Sequence, residues 1–201
     1  MRYFIVCFLC LLFPFFVSAQ LSIGVKAGLN FSNVTNAAGI NANSRTGYMI
    51  GGYIAPKPKK LLGFRSEILL SRQGYDYTTN GNSATLDLDY LLLPELITLN
   101  FTKKIEIHAG MQIGFLLNGN ADSTGGNNNN RLLSYFKRFD YGIAGGVQVS
   151  PILGLFVGAR INVGLKNINN DQAIGAGSPP DFYPREFVKN NVVQLYAGWR
   201  F

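Results

Sequence analysis

Three long stretches of the chain place an apolar residue at every second position. In LSIGVKAGLNF, Leu21, Ile23, Val25, Ala27, Leu29 and Phe31 share one face, opposite Ser22, Gly24, Lys26, Gly28 and Asn30. In KIEIHAGMQIGFLLN, Ile105, Ile107, Ala109, Met111, Ile113, Phe115 and Leu117 oppose Glu106, His108, Gly110, Gln112 and Gly114. In LGLFVGARINVGL, Leu153, Leu155, Val157, Ala159, Ile161, Val163 and Leu165 oppose Gly158, Arg160, Asn162 and Gly164. A helix does not repeat in this way. A strand does, because successive side chains point to opposite faces.

Less regular segments near 46–55, 62–73, 85–99, 139–149 and 189–201 complete a set of eight predicted strands. The third alternates Leu62, Phe64, Ile68 and Leu70 with Gly63, Arg65, Glu67 and Ser71. The fourth, TLDLDYLLLPELITL, is apolar on both faces in its middle, so its phase is open, and Pro94 marks a bulge or an irregular pairing. Residues 131–138 (RLLSYFKR) are the one stretch that admits helical spacing. The connections alternate in length. Residues 32–45, 74–84, 118–138 and 166–188 are long and polar, and GGNNNN (Gly125 to Asn130) is low-complexity. Those near 56–61, 100–104 and 150–152 are short. Long loops at one end and tight turns at the other describe an all-β, eight-stranded antiparallel up-and-down barrel. Such strands are long enough to cross a bilayer, which takes about 9–11 tilted residues.

Alternation alone does not separate inside from outside, since a soluble ligand-binding barrel alternates too. The second face decides. It mixes glycine with Lys26, Arg65, Glu67, Glu106, Gln112, Gln148, Arg160, Asn162, Gln194 and Arg200. A narrow lumen needs glycine for room and charges that can pair. Only 14 % of residues are charged, which is low for a soluble exterior, while 13 % are aromatic. The apolar face is therefore expected to meet lipid, and the structure to be a transmembrane β-barrel. The last strand, VVQLYAGWRF, then sets Val193, Leu195, Ala197, Trp199 and Phe201 against acyl chains, with Trp199 and Phe201 near an interface.

The segment before the first strand has a different character. Arg2, the apolar run Phe4 to Phe16 and the small residues Val17-Ser18-Ala19 have the layout of a secretory signal peptide, cleaved before Gln20. Residues 1–19 are read as leader and 20–201 as the barrel domain. Both cysteines, Cys7 and Cys10, fall in the leader, so the mature chain has no disulfide and no thiolate metal site. A lipoprotein is the rival reading, but Cys10 sits inside the apolar run rather than after it. The formal charge of +7 would suit nucleic acid, but no basic stripe appears. Lys57, Lys59 and Lys60 form the one dense cluster, and they read as solvated or as headgroup contacts.

Several stretches resemble one family, the PorT-like outer-membrane β-barrel proteins of Gram-negative bacteria. LLGFRSEILLSRQGYDY is similar to its third-strand signature at Glu67, Ser71, Arg72, Gln73 and Gly74. LDYLLLPELITLNF resembles its tyrosine-x-x-x-proline strand through Tyr90 and Pro94, with Leu92 where an acidic residue is usual. FDYGIAGGVQVSPILGLFVGARINVGLKNI resembles its glycine-rich hairpin, including Asp140, Gly142, Gly146 and Arg160. The resemblance implies a small envelope barrel. Its name-giving member is linked to type IX protein secretion, so a component of a protein secretion system is an alternative. Trp199 and Phe201 also resemble the C-terminal signal read by the barrel-assembly machinery.

Catalysis finds little support. The one histidine, His108, has Glu106 on its face but no companion serine in its strand, and is read as a lumen residue. No cofactor or metal site is expected: the Asn- and Gly-rich loops fit neither calcium nor phosphate loops. Lys26, Arg65, Glu67, Asp140, Arg160 and Arg200 are read as a structural polar network in the lumen, with Glu67 bound to Arg65 or to an arginine of a neighbouring strand. The alternative is a small solute channel through the same groups. Tyr75, Tyr77, Tyr135, Phe136, Phe182 and Tyr183 are read as a girdle at headgroup level, or as contacts for a partner or sugar. The expected partners are outer-membrane lipid and lipopolysaccharide, the barrel-assembly machinery and secretion-system proteins, and not nucleic acid.

Overall fold

The computed structural model describes residues 21–35, 42–57, 61–79, 82–122, 133–170 and 187–201. The leader, the GGNNNN tract, Lys59, Lys60, Phe182 and Tyr183 lie outside them.

Eight strands run in chain order: β1 Leu21–Val34, β2 Asn43–Pro56, β3 Leu62–Thr79, β4 Asn82–Asn100, β5 Ile105–Asp122, β6 Phe139–Val149, β7 Leu155–Gly164 and β8 Asn190–Arg200. Each pairs antiparallel with the next, and β1 pairs with β8 from Gly24↔Arg200 to Val34↔Asn190, which closes the barrel. Closure leaves no sheet edge, the condition for strands to lie in hydrocarbon.

The outward face is the apolar one. Leu21, Ile23, Val25 and Leu29 on β1, Ile107 and Met111 on β5, and Val157 and Ile161 on β7 are all exposed, while Lys26, His108 and Arg160 on the same strands are buried. The phase of β4, open in the sequence, is settled by its neighbours. Leu86, Leu88, Tyr90, Leu92 and Leu96 point inward, and Ile97 and Leu99 outward.

One expectation changes and another is narrowed. The β3–β4 connection is not long, because pairing continues to Thr79↔Asn82. Residues 80 and 81 alone separate the two strands, and they lie outside the described residues. At Pro94 the structure takes the second of the two expected forms, an irregular pairing and not a bulge. Pro94 keeps register with Gln112 on β5, and on the β3 side the ladder lapses between Ser66↔Glu95 and Leu69↔Leu92 without a shift. A proline has no N–H to offer that ladder. The bulge lies instead on β5, where the register slips between Asp89↔Asn118 and Tyr90↔Leu116. The slip leaves Leu117 as the extra residue.

β3, β4 and β5 have 18, 19 and 18 residues, against 10 or 11 in β6, β7 and β8, so one side of the barrel stands taller. The outer ends of the tall strands are not bare. Tyr75, Tyr77, Leu86, Leu88 and Tyr90 face inward and pack with Phe136, Ile168 and Val188 from the long connections. Tyr75, Tyr77 and Phe136 are therefore core residues, not a headgroup girdle. Of the helical expectation for 131–138, the described residues 133–138 keep a single turn at 133–135, and at Phe136 the chain leaves it for a β-bridge to Asn169.

Candidate functional site

The lumen is filled in three tiers, which the pleat stacks from the tight-turn end to the loop end. The lowest tier is ionic. Glu67 on β3 receives Lys26 Nζ from β1 at 2.7 Å and a forked pair from Arg160 on β7 at 2.7 and 2.8 Å. Arg65 Nε stands 2.9 Å from Glu67 Oε1, as a charge contact rather than an aligned hydrogen bond. Arg65 Nη1 donates to Glu106 on β5 at 2.8 Å and to Gln148 on β6 at 3.1 Å. Lys26, Arg65, Glu67 and Arg160 are all buried. The cluster thus sets three cations against two carboxylates. Aromatic faces offset the excess: Lys26 lies 4.5 Å from the Tyr196 ring centre, and Arg65 lies 5.1 Å from that of Tyr53.

Glycines admit these rings. A Cβ on Gly158 would fall 2.5 Å from the Tyr196 ring, and one on Gly24 would fall 2.3 Å from that of Tyr53. The interior of an eight-stranded barrel is just wide enough for side chains, so each ring must lie over a strand position that has none.

The middle tier is neutral. Gln194 donates to Asn30 at 3.0 Å, Asn30 to Ser71 at 2.8 Å and Gln73 to Ser71 at 2.9 Å, while Asn190 donates to Gln73. Beside it, a cavity of about 20 Å³ lies among Gln73, Tyr90, Gln112, Asp140 and Asn162, room for about one water. The top tier is the apolar core already described.

Of the six charged residues expected in the network, Lys26, Arg65, Glu67 and Arg160 meet. Arg200 joins from the rim, 3.0 Å from the Tyr53 hydroxyl and 3.8 Å from Glu106. Asp140 does not join. It lines the small cavity on the loop side and accepts the Tyr141 N–H at 2.8 Å. Sequence reasoning put Glu106, Gln148 and His108 on the inner face but left them out of the network. Register supplies them, because Ile105↔Val149 and Gly146↔Arg160 bring β5, β6 and β7 to one level. Among the described residues His108 Nε2 receives Arg160 Nε at 3.3 Å and lies 3.5 Å from the Tyr196 hydroxyl.

The outer wall carries its own charges, above the apolar band. Arg72 pairs with Asp89 at 2.7 Å, and Arg45 with Asp87 at 2.5 Å and Asp76 at 2.9 Å. Arg72 also lies 5.2 Å from the Tyr48 ring centre. Glu95 is the exception within the band. It faces outward between Leu93 and Ile97, held by Ser66 Oγ at 2.6 Å.

A closed barrel with an apolar outer wall, a filled lumen and short turns at one end has the build of a transmembrane β-barrel. The chain belongs to the family described as outer membrane protein beta-barrel domain, whose pattern matches residues 17–170. Solved structures agree on the fold. Ail, the attachment invasion locus protein of Yersinia pestis, superposes with a TM-score of 0.50 over 90 % of this chain and 98 % of its own, at 14 % identity. Neisserial surface protein A superposes with a TM-score of 0.56 over 89 % of this chain and 97 % of its own, at 11 % identity. No curated protein sequence matches the chain.

Proposed function

We propose that this protein is a non-catalytic structural or interaction barrel of the outer membrane, acting through its two rims and its wall rather than through its lumen. One observation carries the reading: the lumen is filled from end to end. The ionic tier occupies the lower half, the Asn30–Ser71–Gln73 tier the middle, and the Tyr75–Phe136–Ile168 core the top. A solute path would have to break buried, forked ion pairs. Planar-bilayer recording of the purified barrel is expected to show no steady conductance steps, and reproducible steps would establish the channel instead. His108 supports the non-catalytic side, since Arg160 and Tyr196 occupy the space a nucleophile would need. Within this reading, residues 1–19 direct export and are removed before Gln20, and the Trp199–Phe201 end of β8 is read by the assembly machinery. The Arg45 and Arg72 belt lies where lipopolysaccharide headgroups would meet the wall.

The alternative is a PorT-like component of protein secretion. It is supported by the resemblance at Glu67, Arg72, Tyr90, Pro94 and Arg160. Glu67 and Arg160 of that set meet in the lumen, which gives two of those positions a structural reason independent of secretion. Deleting the gene and assaying secreted proteins separates the readings: intact secretion retains the stand-alone barrel, and a secretion defect restored by the wild-type chain replaces it.

A further inference from the structure

The two rims of the barrel differ in charge. On the loop side, acids and bases alternate and pair, as Arg45, Arg72, Asp76, Asp87 and Asp89 do. On the other side, the tight turns 56–61, 101–104 and 150–154 contain five lysines and no carboxylate. Lys57, Lys103 and Lys104 are exposed, and their ammonium groups have no ion-pair partner among the described residues. These three lysines line one cleft of about 700 Å³ together with Ile152, Leu153, Trp199 and Phe201. Leu153 is 97 % exposed and Phe201 74 % exposed. That wall is fixed rather than loose. Gly154 has φ +87°, and a Cβ there would fall 2.6 Å from the Trp199 ring. Arg200 N–H donates to Gly154 C=O at 2.7 Å. The β6–β7 turn is thus clasped to β8, with the indole between them.

Outer-membrane barrels keep their short turns in the periplasm, and we propose that this cleft on the tight-turn rim binds an anionic phospholipid of the periplasmic leaflet, an inference that rests on the outer-membrane reading above. The lipid phosphate would sit among Lys57, Lys103 and Lys104, and an acyl chain would run along Ile152, Leu153 and Trp199. Two features select a lipid over an acidic peptide. The apolar wall is continuous with the lipid-facing band, since Trp199 pairs with Val25 on β1 and Leu155 on β7. The cations stand only at the rim of that wall, at headgroup level, the arrangement an amphiphile matches. Each lysine near an anionic surface favours the lipid by about fivefold.

The chain has one tryptophan, so its fluorescence reports on this cleft alone. The full chain is refolded into phosphatidylcholine vesicles containing a minor fraction of either brominated phosphatidylglycerol or brominated phosphatidylcholine. The brominated anionic lipid is expected to quench Trp199 as though enriched about fivefold or more over the brominated zwitterionic lipid. The triple variant Lys57→Gln, Lys103→Gln, Lys104→Gln, in exposed turn positions, is expected to fold and to quench equally with both. Equal quenching in the wild-type chain overturns the proposal and leaves the lysines to a protein partner. An anionic preference that survives in the triple variant overturns it as well, because the headgroup would then be held elsewhere.

Discussion

At the scale of single residues, Glu67 has the largest consequence. Its carboxylate is the shared counter-charge of Lys26 and Arg160 and lies beside Arg65, all out of water. Removing one partner of a buried ion pair costs about 3–5 kcal/mol, because the other charge stays buried without compensation. Glu67→Ala is therefore expected to lower barrel stability by that order, read as the urea midpoint in vesicles, and an unchanged midpoint would show that the cations find other partners. Glu95 should behave in the opposite sense. It is a carboxylate on the lipid-facing wall with, among the described residues, a single serine donor. Glu95→Leu is expected to stabilise the barrel by roughly 1 kcal/mol in the same assay, since acidic groups on that face are unfavourable. A loss of stability would mean that Glu95 meets something other than lipid. Gly158→Val should push Tyr196 off Lys26 and Arg160, at a cost of about 1–3 kcal/mol for overpacking. Loss of near-ultraviolet tyrosine signal together with the lower midpoint would register it.

At the scale of elements, the strands differ in what ends them. β3 and β4 run on past the apolar band because alternation persists through Tyr75, Tyr77, Ala84, Leu86 and Leu88. Those inward residues need cover, and the segment around Phe136 and the one around Ile168 supply it: Lys137 N–H donates to Ile168 C=O at 2.7 Å and Ile168 N–H to Val188 C=O at 3.0 Å. The outer plug is thus built from two connections at once. Phe136→Ser should loosen it without unfolding the membrane-spanning part. The measurable outcome is faster proteolysis of the long connections in a barrel that still migrates as folded in unheated gels, and an unchanged cleavage rate would deny the plug its role. β8 carries a different load. It seals the barrel against β1 and also presents Trp199 and Phe201. If these two act as an assembly signal, the pair Trp199→Ala and Phe201→Ala should slow insertion by the cellular machinery, while spontaneous folding in detergent proceeds at a near-normal rate. Equal slowing in both settings would make them ordinary packing residues.

At the scale of the whole molecule, a barrel of this size has no room for a pore once its side chains are in place, and here the side chains also bond to one another. That is why the conductance experiment bears on the entire structure and not on one residue. The sequence alone determined the architecture. Period-two alternation, eight segments and unequal connections specify an up-and-down barrel, and the glycine-rich, sparsely charged second face specifies which side meets lipid. These are local signals, written in neighbours along the chain. The tertiary structure decided everything that depends on which strands stand level with one another. Lys26, Glu67 and Arg160 come from β1, β3 and β7, and no spacing in the sequence says that they meet, because strand stagger around the closed sheet sets their heights. The same stagger kept Asp140 away from them and brought Glu106 and Gln148 in. It placed the bulge at Leu117 and left Pro94 the irregular pairing, since a slip reflects how two whole strands must align and a missing N–H affects one rung. It also turned Tyr75 and Tyr77 inward, where strand pairing reaches Thr79↔Asn82, and Phe136 was brought over them by its bridge to Asn169, a contact between two connections far apart in the chain.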